Sequence, residues 1–201
     1  MLQYILAAVA AYLFGSISSS VLLSRTVFKT DVRDSGSGNA GATNMARVYG
    51  MKAGLSVLAI DALKTVAALT VGTLLCGEMG LAIAGIACNL GHCFPVFFHF
   101  RGGKGVSVGA MIAFAIDWRV GLCLLVLFFL VFAWKRIVSL CSITVAVGLP
   151  ILCVVFGLSM PRIILGLFSG VFVIFQHRSN IARLLRGEEK RFTPKKKSET
   201  N

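Results

Sequence analysis

The chain has 201 residues, 57% of them hydrophobic and only 14% charged, with a mean hydropathy of +0.85, which excludes an ordinary water-soluble domain. A spanning helix takes about 20 apolar residues, so several crossings leave no room for a separate soluble domain. The net charge of +12 reads as the bias of Lys and Arg toward cytoplasmic loops, and no nucleic-acid partner is expected.

Seven apolar runs follow in chain order: 2–23, 53–75, 79–98, 105–116, 121–134, 137–156 and 163–175. The first lacks a basic leader and is too long for a signal peptide, so it reads as a span. The fourth and seventh are short, and charge placement tests the count. With the N-terminus outside and seven crossings, the loops holding Arg25, Lys29, Arg33, Arg47 and Lys52, then Arg101 and Lys104, then Lys135 and Arg136, all face the cytoplasm with the tail. Of the 20 basic residues only Arg119, Arg162 and the intraspan Lys64 then lie elsewhere. The expectation is therefore an all-α polytopic membrane protein of about seven transmembrane helices, N-terminus outside and C-terminus cytoplasmic. Residues 1–186 form one domain, and 187–201 a basic, low-complexity tail. The six cysteines have no metal or redox spacing and read as packing residues.

Several segments carry chemistry. Residues 35–44 read Ser-Gly-Ser-Gly-Asn-Ala-Gly-Ala-Thr-Asn and are followed by Arg47. Glycines let backbone N–H groups approach an anion, and hydroxyl and amide side chains add donors, although Gly-Lys-Ser/Thr is missing and this is not a P-loop. A plain flexible loop fits the same composition. Residues 99–105, His-Phe-Arg-Gly-Gly-Lys-Gly, run directly into an apolar segment, a setting in which Lys104 suits a phosphate or serves only as a topological charge. Upstream, Asn89, His92 and Pro95 interrupt a span, with His92 either a satisfied structural residue or a site wall. Ser139 and Ser142 share a helical face. His177, Asn180 and Arg183 sweep one side of a helix, while Arg178 and Arg186 also suit an interfacial helix on anionic lipid. Asp61 and Lys64, at i and i+3 inside a span, are expected to neutralise each other or a neighbour.

These residues resemble the bacterial acyl-phosphate:glycerol-3-phosphate acyltransferase family, the PlsY family. The resemblance rests on Gly36 to Asn44 with Arg47, on Gly91-His-Cys-Phe-Pro95 leading to Gly102-Gly-Lys-Gly105, and on His177 to Leu185 with Gly187 and Glu189. It covers essentially the whole chain. Thr65 replaces a common glycine and Ala40 a variable position often held by proline. The resemblance implies acyl transfer from acyl phosphate to glycerol 3-phosphate, giving lysophosphatidic acid and phosphate. It also implies a multi-pass protein of the bacterial cell membrane, with its active site on the cytoplasmic face.

On this reading Lys104, Arg47 and His177 are the chemical groups. Ser37, Gly38, Asn39, Thr43, Asn44, Gly102, Gly103, Ser142, Asn180 and Arg183 bind substrate. The partners are glycerol 3-phosphate, acyl phosphate and membrane lipid, the expected state is a monomer, and no cofactor or metal is expected. The His-x-x-x-x-Asp pair of other acyltransferases is absent, and the eight acids form no sequence cluster suited to a metal. The alternative from another class is a small transporter or anion channel using Asp61, Lys64, Asn89 and His92.

Overall fold

A computed structural model describes residues 1–193 and is helical throughout its regular structure. In order the helices are α1 (Leu2–Ser16), α2 (Ser19–Val27), α3 (Ala42–Tyr49), α4 (Met51–Cys93), α5 (Val106–Ile116), α6 (Trp118–Lys135), α7 (Val138–Val155), α8 (Met160–Gln176) and α9 (Arg178–Leu185). Short 3-10 turns at Val32–Asp34 and Val96–Phe98 lie between α2 and α3, the first connection, and between α4 and α5, the third, the break inside α4 being the second.

By length and composition, four segments are able to cross a bilayer: Leu2–Val27, Met51–Phe98, Trp118–Lys135 and Val138–Val155. The bent pair α8–α9, with 59° between its helices, makes a fifth. The count differs from seven for two physical reasons. First, α4 is two helices joined at Cys76 and Gly77, whose backbones leave helical geometry. The chain reverses there: Gly72 abuts Gly80 and Ala84 so closely that a Cβ on Gly72 or Gly80 would collide with backbone oxygen of the other. Second, α5 has only 11 residues, about 16 Å of helix, against the 20 or so residues of an untilted span. Trp118 opens α6 directly after Asp117, and Gly121 lets the two helices close into a hairpin against Phe114.

The first apolar run also differs from a single helix. It breaks at Ile17 and Ser18, both extended. The break frees the carbonyls of Gly15 and Ile17, and both accept hydrogen bonds from Lys64 Nζ, at 3.2 and 2.7 Å.

Packing relies on small residues, as expected where lipid is as apolar as leucine and close backbone approach supplies the attraction. The main core joins Ala11, Ala68, Ala84, Cys88, Ile112, Ile116, Val120, Cys153 and Leu165. A second cluster of Val32, Met45, Ala53 and Val57 lies beneath the glycine-rich connection. Beside it Phe28 stacks on Tyr49 with centroids 4.1 Å apart. This cluster gives the first connection a fixed floor, which positions the site.

Candidate active site

The first connection is held from within and from across the molecule. The Asp31 carboxylate takes Arg33 at 2.8 Å and Arg25 at 2.9 Å. The hydrogen bond from Arg33 holds the Asp31 carboxyl down at about 2 against the opposing effect of burial. The same Arg33 guanidinium donates to the carbonyls of Phe98 and Arg101 at 3.0 and 3.1 Å, tying the first connection to the third. Asn44, fully buried, receives the Ser37 N–H at 2.9 Å and donates to the Val32 and Ser35 carbonyls at 3.0 Å each. Its side chain is thus engaged in shaping the loop. Gly38 takes a left-handed conformation, φ 72°.

The third connection is pinned to the end of α4. The N–H groups of Gly102 and Gly103 donate to the Cys93 and His92 carbonyls, both at 3.1 Å. Any side chain at Gly103 would collide with the His92 ring. Lys104, next in sequence, donates to Asn180 Oδ1. Asn180 in turn donates to Glu189 Oε1 at 2.6 Å, Ser139 Oγ reaches the same oxygen at 2.8 Å, and Arg183 Nε meets Oε2 at 2.6 Å. Burial acts to raise the Glu189 carboxyl, but the hydrogen bonds from Arg183, Ser139 and Asn180 prevail and hold it below the usual range. Burial lowers the Lys104 ammonium; Arg183, Arg47 and Arg178 push the same way, and Glu189 opposes them. Lys104 thus shares this region with Arg47, Arg178 and Arg183 and with the Glu189 carboxylate.

A cleft of about 290 Å³ opens among Asn39, Phe100, Arg101, Gly102, Gly103, Lys104, Gln176, Arg178 and Ser179. It joins the first connection, the third, and the α8–α9 junction. Of the expected residues, Asn39, Gly102, Gly103 and Lys104 line it, while Asn180 and Arg183 connect to it through Lys104 and Glu189. Arg47 stands in the last turn of α3, half-buried, with its charge felt at Lys104. Thr43 lies in the first turn of α3. Ser142 turns its hydroxyl to the Val138 carbonyl of its own helix at 2.9 Å, the ordinary habit of a hydroxyl in a membrane helix.

His177 does not share a helix with Asn180 and Arg183. It ends α8 and precedes α9 at the 59° bend, because its Nδ1 lies 2.7 Å from the Val173 carbonyl and closes the last turn of α8. That contact assigns the Nδ1 proton to the carbonyl and leaves Nε2 as an acceptor. Asp61 and Lys64 neutralise each other at 2.9 Å.

The comparisons with known proteins agree along the chain. The family profile described as glycerol-3-phosphate acyltransferase matches residues 5–187. The chain belongs to the glycerol-3-phosphate acyltransferase family. It is 43% identical to the glycerol-3-phosphate acyltransferase of Thermoanaerobacter pseudethanolicus over 191 residues, 95% of this chain and 96% of that one. It is 39% identical to the Aquifex aeolicus protein of the same description, with 90% and 95% covered. Among solved structures, the glycerol 3-phosphate form of PlsY (YgiH), an integral membrane glycerol 3-phosphate acyltransferase, superposes with a TM-score of 0.90 at 36% identity, covering 94% of this chain and 96% of that one. The lysophosphatidic acid form gives 0.87, with 94% and 95% covered. This glycerol-3-phosphate acyltransferase is thus an all-α integral membrane enzyme, and acylation of its acceptor gives lysophosphatidic acid.

Sequence reasoning left parts of the candidate site out. Arg33 ties two connections together, yet reads as one more positive-inside charge. Glu189, Ser139, Gln176 and Ser179 fell within the sequence patterns without a role. The signal for Glu189 was available: a carboxylate amid so many cations on one face needs partners. Residues 187–193, read as the start of the tail, return to the helices: Phe192 N–H donates to the Arg136 carbonyl at 2.7 Å, and its ring meets Phe132 edge-on at 6.0 Å. Lys195, Lys196 and Lys197 lie outside the described residues.

Proposed function

We propose that the acyl donor is an acyl phosphate and that transfer occurs at the cationic cleft around Lys104, on the cytoplasmic side of a chain crossing the membrane seven times. The observation that carries this reading is the excess of positive charge at the cleft, which Arg101, Lys104 and Arg178 line, with Arg47 and Arg183 close enough to act on Lys104 and the Glu189 carboxylate opposing them. Two phosphates meet in the reaction, one on each substrate, and the cleft's free charge suits that pair. The glycerol hydroxyl oxygen attacks the acyl carbonyl carbon, the bond from that carbon to the phosphate oxygen breaks, and phosphate leaves with the electron pair. The hydroxyl proton passes to an oxygen of the departing phosphate, so His177 needs only to accept a hydrogen bond through Nε2. An acyl phosphate is already activated, so orientation and charge compensation suffice and no strong base is required. Asn39, Lys104, Asn180, Arg183 and Arg47 bind and orient, with the Gly102 and Gly103 turn allowing close approach; Asn44 fixes the Ser37 backbone and so the loop that carries Gly38, with Thr43 beside it in α3.

The acyl chain has a matching surface. Ile164, Leu167, Phe168, Val171, Phe172 and Phe175 line an apolar groove of about 440 Å³ along α8. Gln176, the next residue, lines the polar cleft. Lateral entry from the bilayer follows, because the methylenes never leave an apolar medium. The seven crossings are supported by the reversal at Cys76 and Gly77, which makes two passes of α4, and by the abrupt turn between α5 and α6.

The test supplies purified protein with glycerol 3-phosphate and either acyl phosphate or acyl-CoA, and measures lysophosphatidic acid and released phosphate. Turnover is expected with acyl phosphate and only poorly with the thioester, whose thiolate gains little from phosphate-shaped contacts. Comparable turnover with acyl-CoA would reject the donor while leaving the acyltransferase family intact.

A further inference from the structure

The pair Asp61–Lys64 lies well inside the protein, their side chains 1% and 4% exposed, and takes no part in the chemistry above. Each partner engages a different end of the segment that carries Lys104. On one side, Asp61 Oδ2 accepts from Ser107 Oγ at 2.6 Å, and Ser107 sits in the first turn of α5, three residues after Lys104. On the other, Lys64 Nζ lies 3.1 Å from His92 Nδ1. The His92 ring abuts Gly103, and the His92 carbonyl holds the Gly103 N–H. Further hydrogen bonds anchor the pair to the junction of α1 and α2: Ser19 Oγ donates to Asp61 Oδ1 at 2.6 Å, and Lys64 donates to the Gly15 and Ile17 carbonyls.

We infer that Asp61 and Lys64 are positioning residues for acyl transfer, clamping the Gly102–Gly105 turn at both ends through Ser107 and His92 so that the Lys104 ammonium is fixed over the cleft. A chemical group displaced by about an ångström loses much of its effect on rate. Two hydrogen bonds, of 2.6 and 3.1 Å, to a buried, neutralised pair provide a directional support that an apolar contact would not. The bland alternative, an ion pair that only holds helices together, accounts for the bonds to α1 and α2. It gives no reason for the carboxylate's second oxygen and the ammonium to reach opposite ends of one turn.

The inference rests on the reading that Lys104 meets substrate phosphate, and a double-mutant cycle separates the two. Asp61→Asn, Ser107→Ala and Ser107→Thr are each made in the native chain and in Lys104→Ala. Purified folded protein is given acyl phosphate and radiolabelled glycerol 3-phosphate for long enough that about a thousandfold loss remains readable. In the native background Asp61→Asn and Ser107→Ala are expected to lower kcat/KM about tenfold each, with Ser107→Thr restoring most of it. In the Lys104→Ala background neither produces a further loss. Equal losses in both backgrounds would show a general structural effect and overturn the positioning role while leaving Lys104 in place. Native activity in Lys104→Ala itself would remove the reading beneath it. Should Asp61→Asn fail to fold, Ser107→Ala decides, since it leaves the ion pair whole, and an unaltered rate in that variant also overturns the clamp.

Discussion

Removing the Lys104 ammonium should cost activity without costing stability. A unit charge about 4 Å from a phosphate oxygen, at an effective dielectric of about 20, interacts by roughly 4 kcal/mol. Asn180 and Glu189 offset part of this, since Lys104 already donates to Asn180 and feels the Glu189 carboxylate. A net loss of about 2–4 kcal/mol of transition-state stabilisation corresponds to roughly 30- to 900-fold in kcat/KM. Stability runs the other way. Burial and the three neighbouring arginines lower the Lys104 pKa, so between that lowered value and the ordinary 10.5 the unfolded chain binds more protons, and native stability rises with pH. At any pH below the ordinary 10.5 the lysine thus destabilises the native state. Lys104→Ala should therefore match or exceed the native thermal midpoint at pH 7 while losing acyl transfer. The exposed Lys52→Ala is the control. Equal kcat/KM for the two variants, at matched folded amounts in the same detergent, would refute the reasoning.

Asn44→Ala removes three hydrogen bonds from a buried position and should destabilise by about 2–4 kcal/mol, seen as a lowered denaturation midpoint together with proteolytic nicking between residues 35 and 41. Acidification should loosen the joint between the first and third connections. Asp31, held at about 2, contributes stability that is complete above its ordinary 3.8 and is lost as pH falls through about 2. Thermal midpoints of the native chain and Asp31→Asn should accordingly converge between pH 4 and 2, and a constant gap would exclude the mechanism. For topology, single cysteines are placed at Lys52 and Glu78 in a chain freed of its six native cysteines. An impermeant reagent on intact cells should label position 78 and not position 52, and the reverse pattern would invert the orientation.

Much of this was legible in the sequence because polar groups in an apolar chain stand out. Asp61 and Lys64 announced their own pairing, since neither is tolerable alone in a membrane, and the glycine-bracketed Lys104 announced an approach to backbone. Other features depend on contacts that sequence spacing does not encode. The break at Ile17 leaves carbonyls that Lys64, 47 residues away, occupies in place of the partners a continuous helix would give them. The bend at His177 follows from an imidazole turned back on the Val173 carbonyl, so a helical wheel through His177, Asn180 and Arg183 joins residues of two helices. Asn44 and Ser142 show the same limit: their residue types suit a substrate, but their side chains are engaged with nearby backbone.

The spacing of Asp61 and Lys64 bears on how the protein enters the bilayer. Lys64 is finally surrounded by the Gly15 and Ile17 carbonyls and by His92, groups that arrive from the preceding span and from the half of α4 synthesised later. During insertion neither need be in place. Its carboxylate partner is one turn away on the same arm, so the segment carries its own counter-ion as it leaves the translocation machinery. A lysine that would halt membrane entry by itself instead crosses as half of a neutral dipole. The order of assembly is then free: the arm can settle first, and the broken helix and the histidine can close around it afterwards.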